Sequence, residues 1–332
     1  MLTPRAAAGD LVQVDAPESE SMSSNKAHLE RPRVLRPARS PGQPRLTMLA
    51  DYLSLTKPRI IVLLLVTTLG AMVVAANGWP GWPLVLATLL GGALASGSAN
   101  TLNCYLDRDI DALMSRTVWR PLPSGTLTPV QALVFGLTLG ALSFAVLGLW
   151  VNLLAALLAQ AGLWFYVLVY TRWLKRTTPS NIVIGGAAGA VPPLVGWAAV
   201  TGELSLFAWC LFAVVFYWTP PHFWALALLI RDEYAKARVP MLPLVAGDAE
   251  THRQILLYSV LLLAVTLLPF AFGLSGLGYL IAAVGLGGLL LHYARRLHHE
   301  ATRAAALALY KYSLLYLALL FAAVVVDRLL QG

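Results

Sequence analysis

Residues 83–121 read PLVLATLLGGALASGSANTLNCYLDRDIDALMSRTVWRP: an uncharged run from Pro83 to Leu102, then an abrupt cluster of charge. A largely apolar run of that length crosses a bilayer as a helix. Beyond it, Asn103, Asp107 and Asp111 are spaced i, i+4, i+8. On a continuing helix such residues drift slowly around one face. Two carboxylates held that close repel each other and need a cation to stay ionised. Oxygen ligands of this kind favour Mg²⁺, which takes one or two carboxylates and fills its shell with water and substrate phosphate. Arg116 and Arg120 follow, and a guanidinium suits phosphate oxygens. The set reads as a site for a diphosphate with a greasy tail. The same residues also fit an ordinary charged loop between two spans, and spacing alone does not choose.

The rest of the chain has the same character. Of its 332 residues 58% are hydrophobic and only 12% charged, where soluble domains average about 25% charged. Nine apolar runs follow one another, near 60–77, 83–104, 129–149, 152–170, 181–200, 205–229, 255–273, 277–294 and 306–328. The expected fold is therefore all-α, a polytopic membrane protein of about nine transmembrane helices. Residues 1–46, rich in Pro, Arg and Ser, have no apolar periodicity and read as a disordered basic cytoplasmic tail. Residues 47–332 form the intramembrane domain.

With the N-terminus inside, all but Lys311 and Arg328 of the 24 Lys and Arg fall on the inner side. That is a positive-inside pattern, so the orientation is N-in, C-out. It also accounts for the net charge of +8 without nucleic acid. Every candidate for chemistry then faces the cytoplasm, on the loops after spans two, four and six. Cys104 and Cys210 beside apolar runs suggest packing rather than a disulfide or zinc site.

After span four comes YTRWLKRTTPSNIVIGGAAGAVPPLVGW, residues 170–197. Lys175 and Arg176 either extend the positive-inside pattern or add to an anion pocket. Asn181 opens an apolar helix, where an amide is costly unless paired. Gly185, Gly186 and Gly189 allow close approach by a neighbouring helix or a flat ligand. Pro192 and Pro193 should kink or break span five, and Pro220 and Pro221 span six. His222, just beyond and flanked by aromatic residues, is a functional candidate or a partner to a neighbouring helix. Asp232 and Glu233 form a second acidic patch whose members, being adjacent, point apart. Lys57, in SLTKPRI before span one, reads as a lipid-headgroup contact or as another charge for a diphosphate.

Together these residues resemble the UbiA-type intramembrane prenyltransferases. The family mark is Asn103-x-x-x-Asp107-x-x-x-Asp111. The branch that acts on heme is suggested by LTKPR at 55–59, YTRWLKR at 170–176, NIVIGGAAGAVPPLVGW at 181–197, PPHFWALA at 220–227 and VPMLPLV at 239–245. The resemblance implies helices around a central cavity and transfer of a farnesyl group from farnesyl diphosphate to the 2-vinyl group of heme b. It implies Mg²⁺ on Asn103, Asp107 and Asp111, the diphosphate on Lys57, Arg116, Arg120, Lys175 and Arg176, and a substrate cavity with Tyr170, Asn181, Gly185, Gly186 and His222. It further implies a bacterial inner-membrane setting and heme A synthase as a partner. One departure stands out: many relatives carry two aspartates four apart after span six, whereas this chain has Asp232 and Glu233 followed by Tyr234. A prenyltransferase of quinone or chlorophyll precursors would share the first motif but lack the marks of spans five and six. A transporter would show two matching halves, which this chain does not.

Overall fold

The computed structural model describes residues 45–331. The expected tail over residues 1–46 lies outside them except for its last two residues, which already belong to a helix, Arg45–Thr56. Among the described residues nine helices are long and apolar enough to cross a membrane. They are α1 (Pro58–Ala75), α2 (Trp82–Leu106), α3 (Pro129–Trp150), α4 (Leu153–Thr177), α5 (Asn181–Thr201), α6 (Leu206–Leu229), α7 (Gly247–Ala271), α8 (Leu277–Glu300) and α9 (Arg303–Gln331).

Local chemistry sets where these helices start. Lys57 adopts left-handed φ/ψ (54°, 62°) and Pro58 follows at the first helical position, so the chain turns sharply between the leading helix and α1. Thr128 and Gln131 form a reciprocal capping box before α3. Asn152 caps α4, accepting from Ala155 N at 2.8 Å, and ties its amide to the Ala198 carbonyl of α5 at 2.7 Å. Farther along the chain Asp327 of α9 accepts from Gly276 N (2.7 Å) and Tyr279 N (3.0 Å), capping α8 from a neighbouring helix. An acid buried in a membrane protein is thereby satisfied by a helix N-terminus.

Successive helices pack side by side, and α1 also packs against α5 and α9 while α9 packs against α6. Helices α5 and α6 are accordingly the most enclosed. At the α1–α5 crossing a Cβ on Gly196 would strike the Thr68 carbonyl, so only glycine permits that approach.

Three expectations are sharpened or changed. Of the kink or break expected at the proline pairs, no break occurs: Pro192 and Pro193 lie inside one continuous α5, and Pro220 and Pro221 inside one continuous α6. Each proline forfeits one backbone bond, and helices packed on both sides keep the remaining turns in place. Second, α4 does not end near residue 170. It continues to Thr177 through a π-helical stretch, Phe165–Leu174. Third, α7 starts at Gly247 and α8 reaches Glu300, because hydrophobicity stops where charges begin while the helical bonding continues into the polar zone. Between α1, α2, α4, α5 and α6 lies a cavity of about 310 Å³, predominantly apolar.

Candidate active site

The last turn of α2 and the short helical turn after it carry the motif, and its spacing survives. Asp107 N bonds Asn103 O and Asp111 N bonds Asp107 O, each at 2.8 Å, so the helical path continues through the short turn Arg108–Asp111. Asn103, Asp107 and Asp111 are all buried. A buried carboxylate needs charge compensation, and cations arrive from three directions.

Lys57, placed by its left-handed turn, donates to Asn103 Oδ1 at 2.8 Å. The Asn103 amide in turn donates to Asp107 Oδ2 (2.8 Å) and to Thr171 Oγ1 (3.2 Å). From just past the π-helical stretch of α4, Lys175 donates to Asp107 Oδ2 at 2.5 Å. Arg120 donates to Asp111 Oδ2 at 2.7 Å. Arg176 grips the exposed Asp109 with both nitrogens at 2.8 Å, reaches the Leu106 carbonyl, and stands 3.6 Å from Asp107 Oδ1. That bidentate contact holds the Asp109 carboxyl down at about 2. Burial pulls the Lys57 ammonium below the usual lysine range, and a nearby anion would raise it again.

A second tie closes over the first. Glu233 Oε2 accepts from Ser115 N at 2.6 Å, and Glu233 Oε1 from Lys236 at 2.8 Å. The Lys236 contact, with the Ser115 bond behind it, lowers the Glu233 carboxyl to about 2. Arg116 lies over the buried Tyr234 ring, 5.8 Å from its centroid. The loops after α2 and α6 are thus joined, and Glu233 reaches the first loop through hydrogen bonds. Asp232 points away, exposed beside Arg231.

The remaining expected residues divide. Tyr170, Gly185 and Gly186 line the cavity, with Tyr166 stacked on Tyr170 at 5.3 Å. Gly185 is packed by the Tyr170 ring and Gly186 by Thr219, whereas Gly189 faces open space. Asn181 is enclosed and donates to Thr178 O, with its own oxygen unpartnered. His222 does not line this cavity. It pairs with Ser313 of α9 at 2.7 Å. Sequence reading missed Thr171, Asp109 and Tyr166. Only Tyr166 had a signal, its i, i+4 spacing from Tyr170.

Adjacency on the helices connects the charged cluster to the cavity. Asn100, one turn before Asn103, and Tyr170, next to Thr171, both line the apolar space. A profile of the UbiA prenyltransferase family matches residues 64–321. The chain belongs to that family. Among curated relatives, proteins named protoheme IX farnesyltransferase from Roseiflexus castenholzii (56% identical over 86% of this chain and 53% of the relative) and Thermus thermophilus (57%, over 84% and 46%) are similar to it. So is one from Gloeobacter violaceus (56%, over 86% and 94%). The chain spans about half the length of the first two and nearly all of the third. Among solved UbiA-type folds, a digeranylgeranylglyceryl phosphate synthase superposes with a TM-score of 0.71 at 20% identity, over 85% of this chain and 99% of that one. A homolog from Archaeoglobus fulgidus bound to GPP and Mg²⁺ gives 0.60 at 18%, over 82% and 99%.

The donor chemistry suits a hard divalent cation within this UbiA site. Asp107 Oδ1 is enclosed and makes no hydrogen bond. Among the described residues no three Asp, Glu, His or Cys groups stand together as a complete metal shell. The protein offers the one or two carboxylates that Mg²⁺ takes when phosphate and water supply the rest.

Proposed function

We infer that this chain transfers the farnesyl group of farnesyl diphosphate to the 2-vinyl group of heme b, with addition of water, giving heme O and diphosphate. Enclosed carboxylates ringed by Lys57, Arg120, Lys175 and Arg176, about two helical turns beyond Asn100, which lines an apolar cavity, carry the reading. The curated relatives named protoheme IX farnesyltransferase support heme as the acceptor.

The cavity suits the tail. Ile182 and Val195 both line it, and that stretch of α5 rises roughly 20 Å at 1.5 Å per residue. The twelve-carbon main chain of a farnesyl group spans roughly 13 Å at the reach per bond of an extended chain. Asn103, Asp107 and Asp111 would hold Mg²⁺, which when bound neutralises the diphosphate and eases its departure. Lys57, Arg120, Lys175 and Arg176 bind the phosphate oxygens and stabilise charge on the leaving group. Breaking the C1–O bond leaves an allylic cation, which the cavity shields from bulk water. The terminal vinyl carbon of heme attacks it. Water then adds at the neighbouring carbon and releases a proton, leaving the hydroxyl. The membrane is bacterial and cytoplasmic in this reading, the charged face lies inward, and heme A synthase is the enzyme that takes up the product.

The test is an assay of purified protein with farnesyl diphosphate, Mg²⁺ and, in parallel reactions, heme b or an aromatic quinone precursor, read by product mass with and without EDTA. The expected product is a farnesylated, hydrated heme that disappears on chelation. A prenylated quinone precursor without any heme product would overturn the acceptor.

A further inference from the structure

The surroundings of His222 fix where its proton sits. Its ring lies between Trp218 (centroids 4.2 Å, 17° between planes) and Tyr310 (4.9 Å, 26°). Nδ1 is 2.7 Å from Ser313 Oγ, and that same Oγ is 2.7 Å from the Tyr310 carbonyl oxygen. A hydroxyl has one proton, and a carbonyl can only accept. If Ser313 donated to the imidazole, two oxygens would face each other at 2.7 Å with no hydrogen between them. Both contacts become hydrogen bonds only when Ser313 donates to Tyr310 and His222 Nδ1–H donates to Ser313. The neutral ring then carries its lone pair on Nε2.

That nitrogen is available. It makes no hydrogen bond among the described residues and is not one of the enclosed unpartnered polar atoms. The Trp218 indole is also fixed, donating to the Ser313 carbonyl at 2.7 Å, so one residue of α9 orients two rings of α6. An imidazole whose Nδ1–H is held by an oxygen while Nε2 is open is the usual arrangement of a metal-ligating histidine. Thr219 and Phe223, on either side of His222 in α6, line the apolar cavity. His222 itself is outside that lining, on the same helix as the two residues that border the space assigned to the prenyl tail.

We propose that His222 Nε2 ligates the iron of the heme substrate and that Ser313 is the positioning residue that sets its tautomer. This rests on heme being the acceptor. The iron takes no part in the bond changes. Its ligation holds the porphyrin so that one vinyl edge meets the allylic carbon.

The experiment titrates purified full-length protein with ferric heme b and, separately, with iron-free protoporphyrin IX, following optical and EPR spectra. Wild type should give a histidine-ligated heme spectrum. His222→Ala should lose that signature and bind heme about tenfold or more weakly, with added imidazole restoring it. Ser313→Ala should shift the signature and weaken heme binding up to about tenfold, while Ser313→Thr restores both. Iron-free porphyrin should bind wild type and all variants alike. An unchanged heme spectrum in His222→Ala would overturn the proposal, as would equal losses for heme and iron-free porphyrin. Wild type that binds neither porphyrin would overturn the heme reading itself, and this inference with it.

Discussion

Asp107 and Lys175 form a buried pair, and such a pair has two separable roles. Removing one partner of a buried ion pair leaves the other uncompensated, at a cost of about 3–5 kcal/mol. Asp107→Ala should therefore lower thermal stability and abolish turnover together. The double variant Asp107→Ala/Lys175→Ala should regain much of the stability and none of the turnover. Measurable heme O formation by either variant would remove Asp107 from the chemistry. Asp111→Ala should likewise end turnover while the bundle remains folded. Lys57 tests the electrostatics in another way. Burial lowers its pKa, so as pH rises it loses its proton before an ordinary lysine would, and the diphosphate loses a cation. The alkaline limb of kcat/KM for farnesyl diphosphate should move to higher pH in Lys57→Arg, because a guanidinium stays charged. An unmoved limb would show that Lys57 does not face the diphosphate.

Two elements meet where Glu233 accepts from Ser115 N, joining the loops after α2 and α6. The Glu233 carboxyl lies at about 2, below its ordinary 4.5, so this tie is intact above about pH 4.5 and is lost as pH falls toward 2. Glu233→Ala should raise KM for farnesyl diphosphate by about threefold to tenfold with less change in kcat, and should speed protease cleavage within residues 112–128. Cleavage at the wild-type rate would deny the tie any hold on the loop. Helix packing gives a sharper contrast between two glycines of α5. A Cβ at Gly196 meets the Thr68 carbonyl, whereas at Gly189 it meets nothing within 4 Å. Gly196→Ala should cost about 1–3 kcal/mol by overpacking. Gly189→Ala should gain about 0.5–1 kcal/mol of helix stability, though it intrudes on the cavity. Both are read by thermal unfolding in detergent. Sequence alone could not separate these glycines, since what differs is the neighbour brought by another helix.

The level at which each feature was legible follows from the range of the forces involved. Hydrophobic runs and the one-sided distribution of Lys and Arg are properties of the chain taken segment by segment, so nine spans and a charged face could be read directly. The Asn103–Asp107–Asp111 spacing could be read for the same reason, being local to one helix. Contacts made by Thr171, Ser115 and Ser313 depend on which helices become neighbours, and no local pattern marks them. The unbroken α5 and α6 belong to the same class, because packing on both sides overrides a strong local preference of proline. Orientation is the remaining whole-molecule property, and we propose that the charge asymmetry sets it, with the charged face inward. The basic side chains on the loops and helix ends around the active site would have to cross the bilayer if the charged face lay outward, which the positive-inside bias opposes. Cys104 and Cys210 are both buried, so single cysteines can be introduced against a quiet background. In intact cells a membrane-impermeant thiol reagent should label Trp79→Cys and Glu203→Cys, on the short loops after α1 and α5. Ser180→Cys and Ala249→Cys, exposed on the charged face, should react only after the cells are opened. The reverse pattern would turn the molecule over, so labelling of Ser180→Cys in intact cells would sink both the orientation and the inward-facing site.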